Sequence, residues 1–165
     1  MYQDIGLVFA QLVQYNRLEL AGDIQEVLKR VLEANSLVLP GGIQAICEGN
    51  KSIDPSCCCG LETWREWIDF LETGQSPWLG HDPSPWLDVQ GDLIRIWSDG
   101  GLESVSDAFY IDVSKSHFKQ ALGLLERDLQ AFLFGIDSWA QDVGFERSSD
   151  LSRKFNECFK IEGRY

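Results

Sequence analysis

This chain of 165 residues predicts an α+β fold, a small antiparallel sheet with helices before it and one long helix after it. Three observations lead there. Apolar residues recur at helical spacing near both ends, they alternate in the manner of strands between residues 92 and 113, and the stretch between is dense in Pro and Gly. At 44% apolar the chain suffices for one core and gives little for two, so a single domain over residues 1–165 is expected, with one layer of helices on the sheet.

Taken in order, Ile5, Phe9, Leu12 and Val13 predict a first helix, and Ile24, Val27, Leu28, Val31 and Leu32 a second. Asp23 with Glu26 has the form of a capping box for the latter. Leu37–Leu39, Pro40-Gly41-Gly42 and Ile43–Ile46 read as a strand broken by a turn or as a short hairpin. Residues 48–60 are small and polar and predict a loop. It leads into a helix over 61–71 with Leu61, Trp64, Ile68 and Leu71 inward and Trp67 to the flank. Residues 73–91 hold Pro77, Pro83 and Pro85 with Gly74, Gly80 and Gly91, which predicts an ordered loop and excludes a long regular element. Residues 92–98 and 108–113 predict strands that pair across 99–107, with Ile94 and Ile96 on one face. Phe118, Leu122, Leu125, Leu129, Phe132, Ile136, Trp139 and Val143 then form one apolar stripe, the signature of a helix from about Ser114 to Gly144. Leu151, Phe155 and Phe159 predict a last short one.

Charge is concentrated in the middle. Residues 54–112 carry 12 of the 26 acidic side chains against only Arg65 and Arg95, and the same segment has Trp64, Trp67, Trp78, Trp86 and Trp97. Lys and Arg cluster nowhere, so the phosphate backbone of nucleic acid and an anionic membrane surface are both poor partners. No apolar run reaches the roughly 20 residues that span a bilayer, and the N-terminus lacks the basic leader of a secretory signal. Five cysteines, three of them consecutive at Cys57, Cys58 and Cys59, lack the spacing of a disulfide framework and suit a reducing compartment. A cytoplasmic protein is expected. An acidic, aromatic-rich surface suits a basic protein partner, since aromatic anchors supply contact area and the field steers encounter.

The sharpest local feature is Pro77-Trp78-Leu79-Gly80-His81-Asp82-Pro83-Ser84-Pro85-Trp86, where two Pro-Trp pairs flank a His-Asp step. Trp78, His81, Asp82, Trp86, Asp88, Asp99, Glu103 and Asp107 are the candidate partner-binding residues. The competing reading makes the indoles the small core of a self-packed loop. A second alternative is a small enzyme or ligand-binding domain with a Trp/His-lined pocket on the 77–86 loop. For nucleophilic catalysis, Cys57, Cys58 or Cys59 with His81 and Asp82 would supply thiol, base and orienting acid, but acidic surroundings disfavour a thiolate. Zinc would need Cys47, Cys57, Cys59 and His81, a spacing that matches no usual structural site. Calcium would need Asp82, Asp88, Asp92 and Asp99, which lack the Asp-x-Asp-x-Asp-Gly loop. Neither a catalytic residue, a metal nor a cofactor is therefore expected. Asp92 and Arg95 point to opposite faces of their strand, leaving Arg95 beside Leu93 and Trp97 with an expected carboxylate partner and an indole to stack on.

The run from Cys58-Cys59-Gly60-Leu61-Glu62 through Trp64-Arg65-Glu66-Trp67 to Trp78-Leu79-Gly80-His81-Asp82, in a small acidic chain, resembles small uncharacterised bacterial proteins, some of them grouped with immunity proteins of toxin systems. The resemblance spans about residues 57–113. It implies a cytoplasmic inhibitor that lays carboxylates and aromatics over a basic toxin, often a nuclease, and it implies no catalytic residue.

Overall fold

A computed structural model describes residues 2–47, 49 and 51–163, with five helices and two small antiparallel sheets. The α+β class and the long C-terminal helix are as expected. The chain forms two compact units, one made of residues 1–39 with 125–165 and the other of 40–124.

The first unit is helical. It contains α1 (Tyr2–Tyr15), α2 (Ile24–Glu33), the part of α4 (Lys115–Asp142) that follows Leu124, and α5 (Ser148–Phe159). Ile5, Phe9, Leu12 and Val13 are buried, as are Leu28 and Val31 of α2 and Leu151, Phe155 and Phe159 of α5. Phe155 is the hub, its ring 5.1 Å from Phe9, 5.5 Å from Phe159 and 6.3 Å from Phe132, while Phe9 also meets Trp139 at 4.7 Å. Gly135 leaves room for α1, since a Cβ there would stand 3.1 Å from Ile5 Cδ1. Asp23 accepts from the Glu26 amide at 3.1 Å and caps α2.

The expected strand at Leu37–Leu39 is absent, because its backbone pairs with a side chain. The Asn16 amide donates to Val38 O at 2.7 Å and accepts from Val38 N at 2.9 Å, which satisfies the polar groups a ladder would have used.

The second unit holds β1 (Ala45–Ile46) paired with β2 (Ser52–Ile53), α3 (Glu66–Thr73), the sheet β3 (Trp86–Gln90), β4 (Leu93–Trp97) and β5 (Tyr110–Ser114), and the start of α4. Three expectations need correction here. β3 lies inside the expected loop 73–91. β2 lies inside the expected loop 48–60, of which residues 48 and 50 fall outside the described residues. The expected helix over 61–71 is a 3-10 turn, Leu61–Thr63, followed by α3. That tighter turn shifts the phase of the helix, so Trp67 and Phe70 join Trp64 as the buried residues and Ile68 and Leu71 are only half-buried. Trp67 stacks on Phe118 at 5.9 Å and Phe70 meets it edge-on at 6.1 Å. Gly74, in the left-handed conformation, closes α3 by donating to Phe70 O at 2.8 Å.

The sheet has the order β3-β4-β5, antiparallel throughout. Leu87, Ile94 and Ile96 are buried on one face. The other face carries two cross-strand rows, Trp86, Trp97 and Tyr110 in one and Asp88, Arg95 and Asp112 in the next. Trp86 and Trp97 stack at 5.8 Å, and Tyr110 sits edge-on to Trp97 at 5.0 Å. Arg95 grips Asp112 with two hydrogen bonds of 2.8 and 2.9 Å and lies 3.7 Å from the Tyr110 ring centroid. The expected carboxylate partner is present, and the expected indole, Trp97, lies 5.5 Å from Arg95 with Tyr110 the closer ring.

Truncating Phe155 to Ala removes the hub of the helical unit and should lower unfolding stability by about 3–5 kcal/mol, read from denaturant melts. A second expectation concerns pH. Hydrogen bonding to Arg95 holds the Asp112 carboxyl below its ordinary range, so its contribution is complete above the unfolded value of roughly 3.9 and fades as pH falls through the lower folded value. Asp112→Asn should therefore melt below wild type at neutral pH, with the gap closing in acid once pH falls below the lowered folded value. An unchanged gap in acid would show that ionisation of Asp112 is not what stabilises the sheet.

Candidate functional site

Two loops of the second unit are zipped together by main-chain and side-chain bonds. Ser56 N donates to Leu79 O at 2.8 Å, Ser56 Oγ donates to Pro83 O, and the Cys59 thiol donates to Trp78 O at 3.6 Å. Gly80 makes this possible. Its φ is +101°, and a Cβ there would fall 2.0 Å from Ser56 Oγ and 2.7 Å from Cys57 O.

On one side of the 77–86 loop the chain forms an open groove of about 720 Å³. Its acidic wall is Glu66, Asp69 and Glu72, spaced three apart on α3 and so sharing a helix face. Trp78, Trp86, Pro77, Pro85 and the exposed Leu102 supply apolar surface. No Lys, Arg or His is among its lining residues. Glu66 also positions the loop, since its Oε2 accepts from Trp78 N at 3.0 Å. Pro77 and Pro85 are buried, while Trp78 is 43% exposed. The loop is therefore anchored through its prolines and presents one indole outward.

The candidate residues do not converge. Trp78 and Trp86 both line the groove; His81 and Asp82 are exposed but do not line it. Asp99 is engaged in its own loop, where Oδ1 accepts from Ser84 N at 2.8 Å and Gly100 N at 2.7 Å. Asp88 belongs to the charged row of the sheet and accepts from Gln90 Nε2 at 2.9 Å. Glu103 and Asp107 are exposed on the segment between β4 and β5. Sequence reasoning overlooked the α3 carboxylates, although their spacing of three was a readable signal.

A second constellation lies beside the first. Cys57 Sγ is 3.4 Å from His81 Nδ1, and the nearest donor atoms of Cys57, Cys58 and His81 all fall within 4.8 Å of one another, with all three residues exposed. His81 stacks on Trp78 at 6.2 Å, which orients the imidazole. Cys58 adopts a left-handed backbone, φ 68°. Cys59 is different in kind: it is buried, and burial, with the neighbouring thiols Cys57 and Cys58 and the carboxylates Glu62 and Glu66 adding to it, pushes its thiol up to about 11. Cys47 is not part of the cluster. The chain matches no family model, no curated protein and no solved structure.

In metal-free, reduced protein, Cys59 should resist alkylation at pH 8. Its thiolate fraction is roughly a hundredfold below that of an ordinary thiol, and its sulfur is covered. Peptide mapping after iodoacetamide treatment reads this directly, and rapid modification of native Cys59 would contradict both burial and the raised value.

Proposed function

We propose that this protein is a non-enzymatic binding module whose acidic, indole-lined groove receives a basic segment of a partner protein. The observation that carries the reading is the lining itself. Three carboxylates and two tryptophans line it with no Lys, Arg or His among the lining residues, so a Lys or Arg side chain entering the groove meets opposite charge and an aromatic face together. An extended, Arg- or Lys-rich strand or loop fits an open trough better than a compact metabolite does. The overall charge of −12 extends the attraction beyond contact distance.

The partner class we favour is a basic toxin of the nuclease type, neutralised by an immunity-type inhibitor, in keeping with the resemblance of residues 57–113. A cytoplasmic setting accords with five free cysteines and with the fact that, among the described residues, no helix is long and apolar enough to cross a membrane. The competing enzyme reading required His81 to meet other polar groups inside a concave pocket. It meets Cys57 at 3.4 Å, but all the residues of that cluster are exposed and His81 does not line the groove, which weighs for binding.

Calorimetric titration with a short Lys/Arg-rich peptide, against an acidic peptide of equal length, tests this. Only the basic peptide should bind, and its affinity should fall as salt shortens the Debye length from about 30 Å at 0.01 M to about 8 Å at 0.15 M. Trp78→Ala should cost about 2 kcal/mol, roughly 30-fold, as loss of an aromatic anchor. Asp69→Asn with Glu72→Gln should cost about 0.5–2 kcal/mol together. Equal binding of the two peptides, no binding of either, or salt-independent affinity would each rule the groove out as a basic-segment site.

A further inference from the structure

Vicinal Cys57 and Cys58 and the distant His81 are brought together by the loop zipper at Gly80, and the groove makes no use of them. Thiolate sulfur and imidazole nitrogen are the donors that thiophilic d10 cations select. Around a tetrahedral zinc ion, with bonds of about 2.3 Å to sulfur and about 2.0–2.1 Å to nitrogen, the sulfur–nitrogen edge is about 3.6 Å and the sulfur–sulfur edge about 3.8 Å. The Cys57 Sγ to His81 Nδ1 distance of 3.4 Å already matches that edge. The remaining separations, none above 4.8 Å, close to it by side-chain rotation of about 1 Å.

We propose that Cys57, Cys58 and His81 form a three-ligand site for a thiophilic d10 cation, zinc(II) or copper(I). The spacing is unlike that of a zinc finger because the third ligand is supplied across the zipper and not by a second Cys pair. Adjacent residues on a regular strand would point to opposite faces. The left-handed turn at Cys58 breaks that alternation and lets both sulfurs reach one point. Stacking on Trp78 keeps the ring beside Cys57, with Nδ1 at 3.4 Å and Nε2 at 3.8 Å from its sulfur, and rotation about the Cβ–Cγ bond would turn a nitrogen lone pair to the shared point. Cys59 contributes nothing, since its thiol is buried and turned to the Trp78 carbonyl. With three protein donors, zinc would keep a fourth, solvent-facing position for water or a partner's side chain, whereas copper(I) would be complete with three.

The proposal stands apart from the groove and is tested with the whole, reduced, chelator-stripped protein. Zinc(II) and, anaerobically, copper(I) are titrated against chromophoric chelators, and cobalt(II) serves as a probe whose thiolate charge-transfer absorption reports sulfur ligation. One equivalent of zinc or copper(I) should bind, and which of them binds tighter identifies the cation. Loss of an outer-sphere partner already costs about 10–100-fold in metal affinity, so Cys57→Ser, Cys58→Ser and His81→Ala should each cost about 100-fold or more. Cys47→Ser and Cys158→Ser should leave affinity unchanged. Circular dichroism of each variant confirms that its fold is retained, and His81→Gln, which keeps an amide in place of the ring, guards against a collapsed loop. The absence of stoichiometric binding of either cation, or binding untouched by the three ligand variants, would overturn the proposal.

Discussion

The second unit depends on one close approach, the contact between residues 56–59 and 78–83. Gly80 lies so near Ser56 that a single methyl group would overlap its hydroxyl, and with no side chain to exclude, the two backbones bond directly through Ser56 N and Leu79 O. That contact has two consequences for the same loop. It pins Leu79, which is buried, so that Trp78 is left facing the groove. It also carries His81 to the thiols of Cys57 and Cys58. A segment with three prolines and little regular structure thus becomes a rigid support because its backbone polar groups have partners in a neighbouring loop.

Several carboxylates of a segment with ten net negative charges are individually engaged. Asp112 is held by Arg95, Asp99 by two backbone amides, and Asp88 by Gln90. Arg95 has a further role, since its guanidinium covers Tyr110 and joins the aromatic row of the sheet to the charged one. Half-exposed ion pairs of this kind contribute little to stability each. Their effect is to fix geometry, and they leave Glu66, Asp69 and Glu72 as the carboxylates that a partner's cations would meet.

Periodicity made the helices legible, because burial of one face repeats in the sequence. α1, α2, α4 and α5 were all readable, as were β4 and β5 from the alternation of Ile94 and Ile96. What escaped was set by contacts between distant segments. Val38 looks like a strand residue but bonds to Asn16, a side chain 22 positions away. Trp67 looked like a flank residue until the 3-10 turn at Leu61–Thr63 altered the phase of α3. β3 was hidden by the prolines that precede it, although Leu87 lies inward while Trp86 and Asp88 lie outward in regular alternation. At the site, the two tryptophans were found from Pro-Trp repetition. Cys57 or Cys58 with His81 was one of the groupings the residue types offered, but that they meet had no local signal, since the chain separation of 24 residues is bridged by the loop zipper.

The Cys57–His81 pair admits two chemical readings, a nucleophile with its base or a pair of metal ligands, and its surroundings decide between them. An activated thiolate needs an electropositive setting, a helix N-terminus or a neighbouring cation. The thiols beside Cys57 are shifted the other way. Cys57 raises the Cys58 thiol, and Glu62 and Glu66 add to the burial that raises Cys59. An orienting carboxylate would also have to hold the far side of the imidazole, yet the ring is held by stacking on Trp78. Close-packed soft donors in a negative field are poorly placed to attack an electrophile unaided. They are well placed to accept a cation, whose charge offsets the repulsion between thiolates and whose binding releases their protons. The acidity that would draw the proposed basic partner to the groove therefore also favours ligation over nucleophilic catalysis at the cluster beside it.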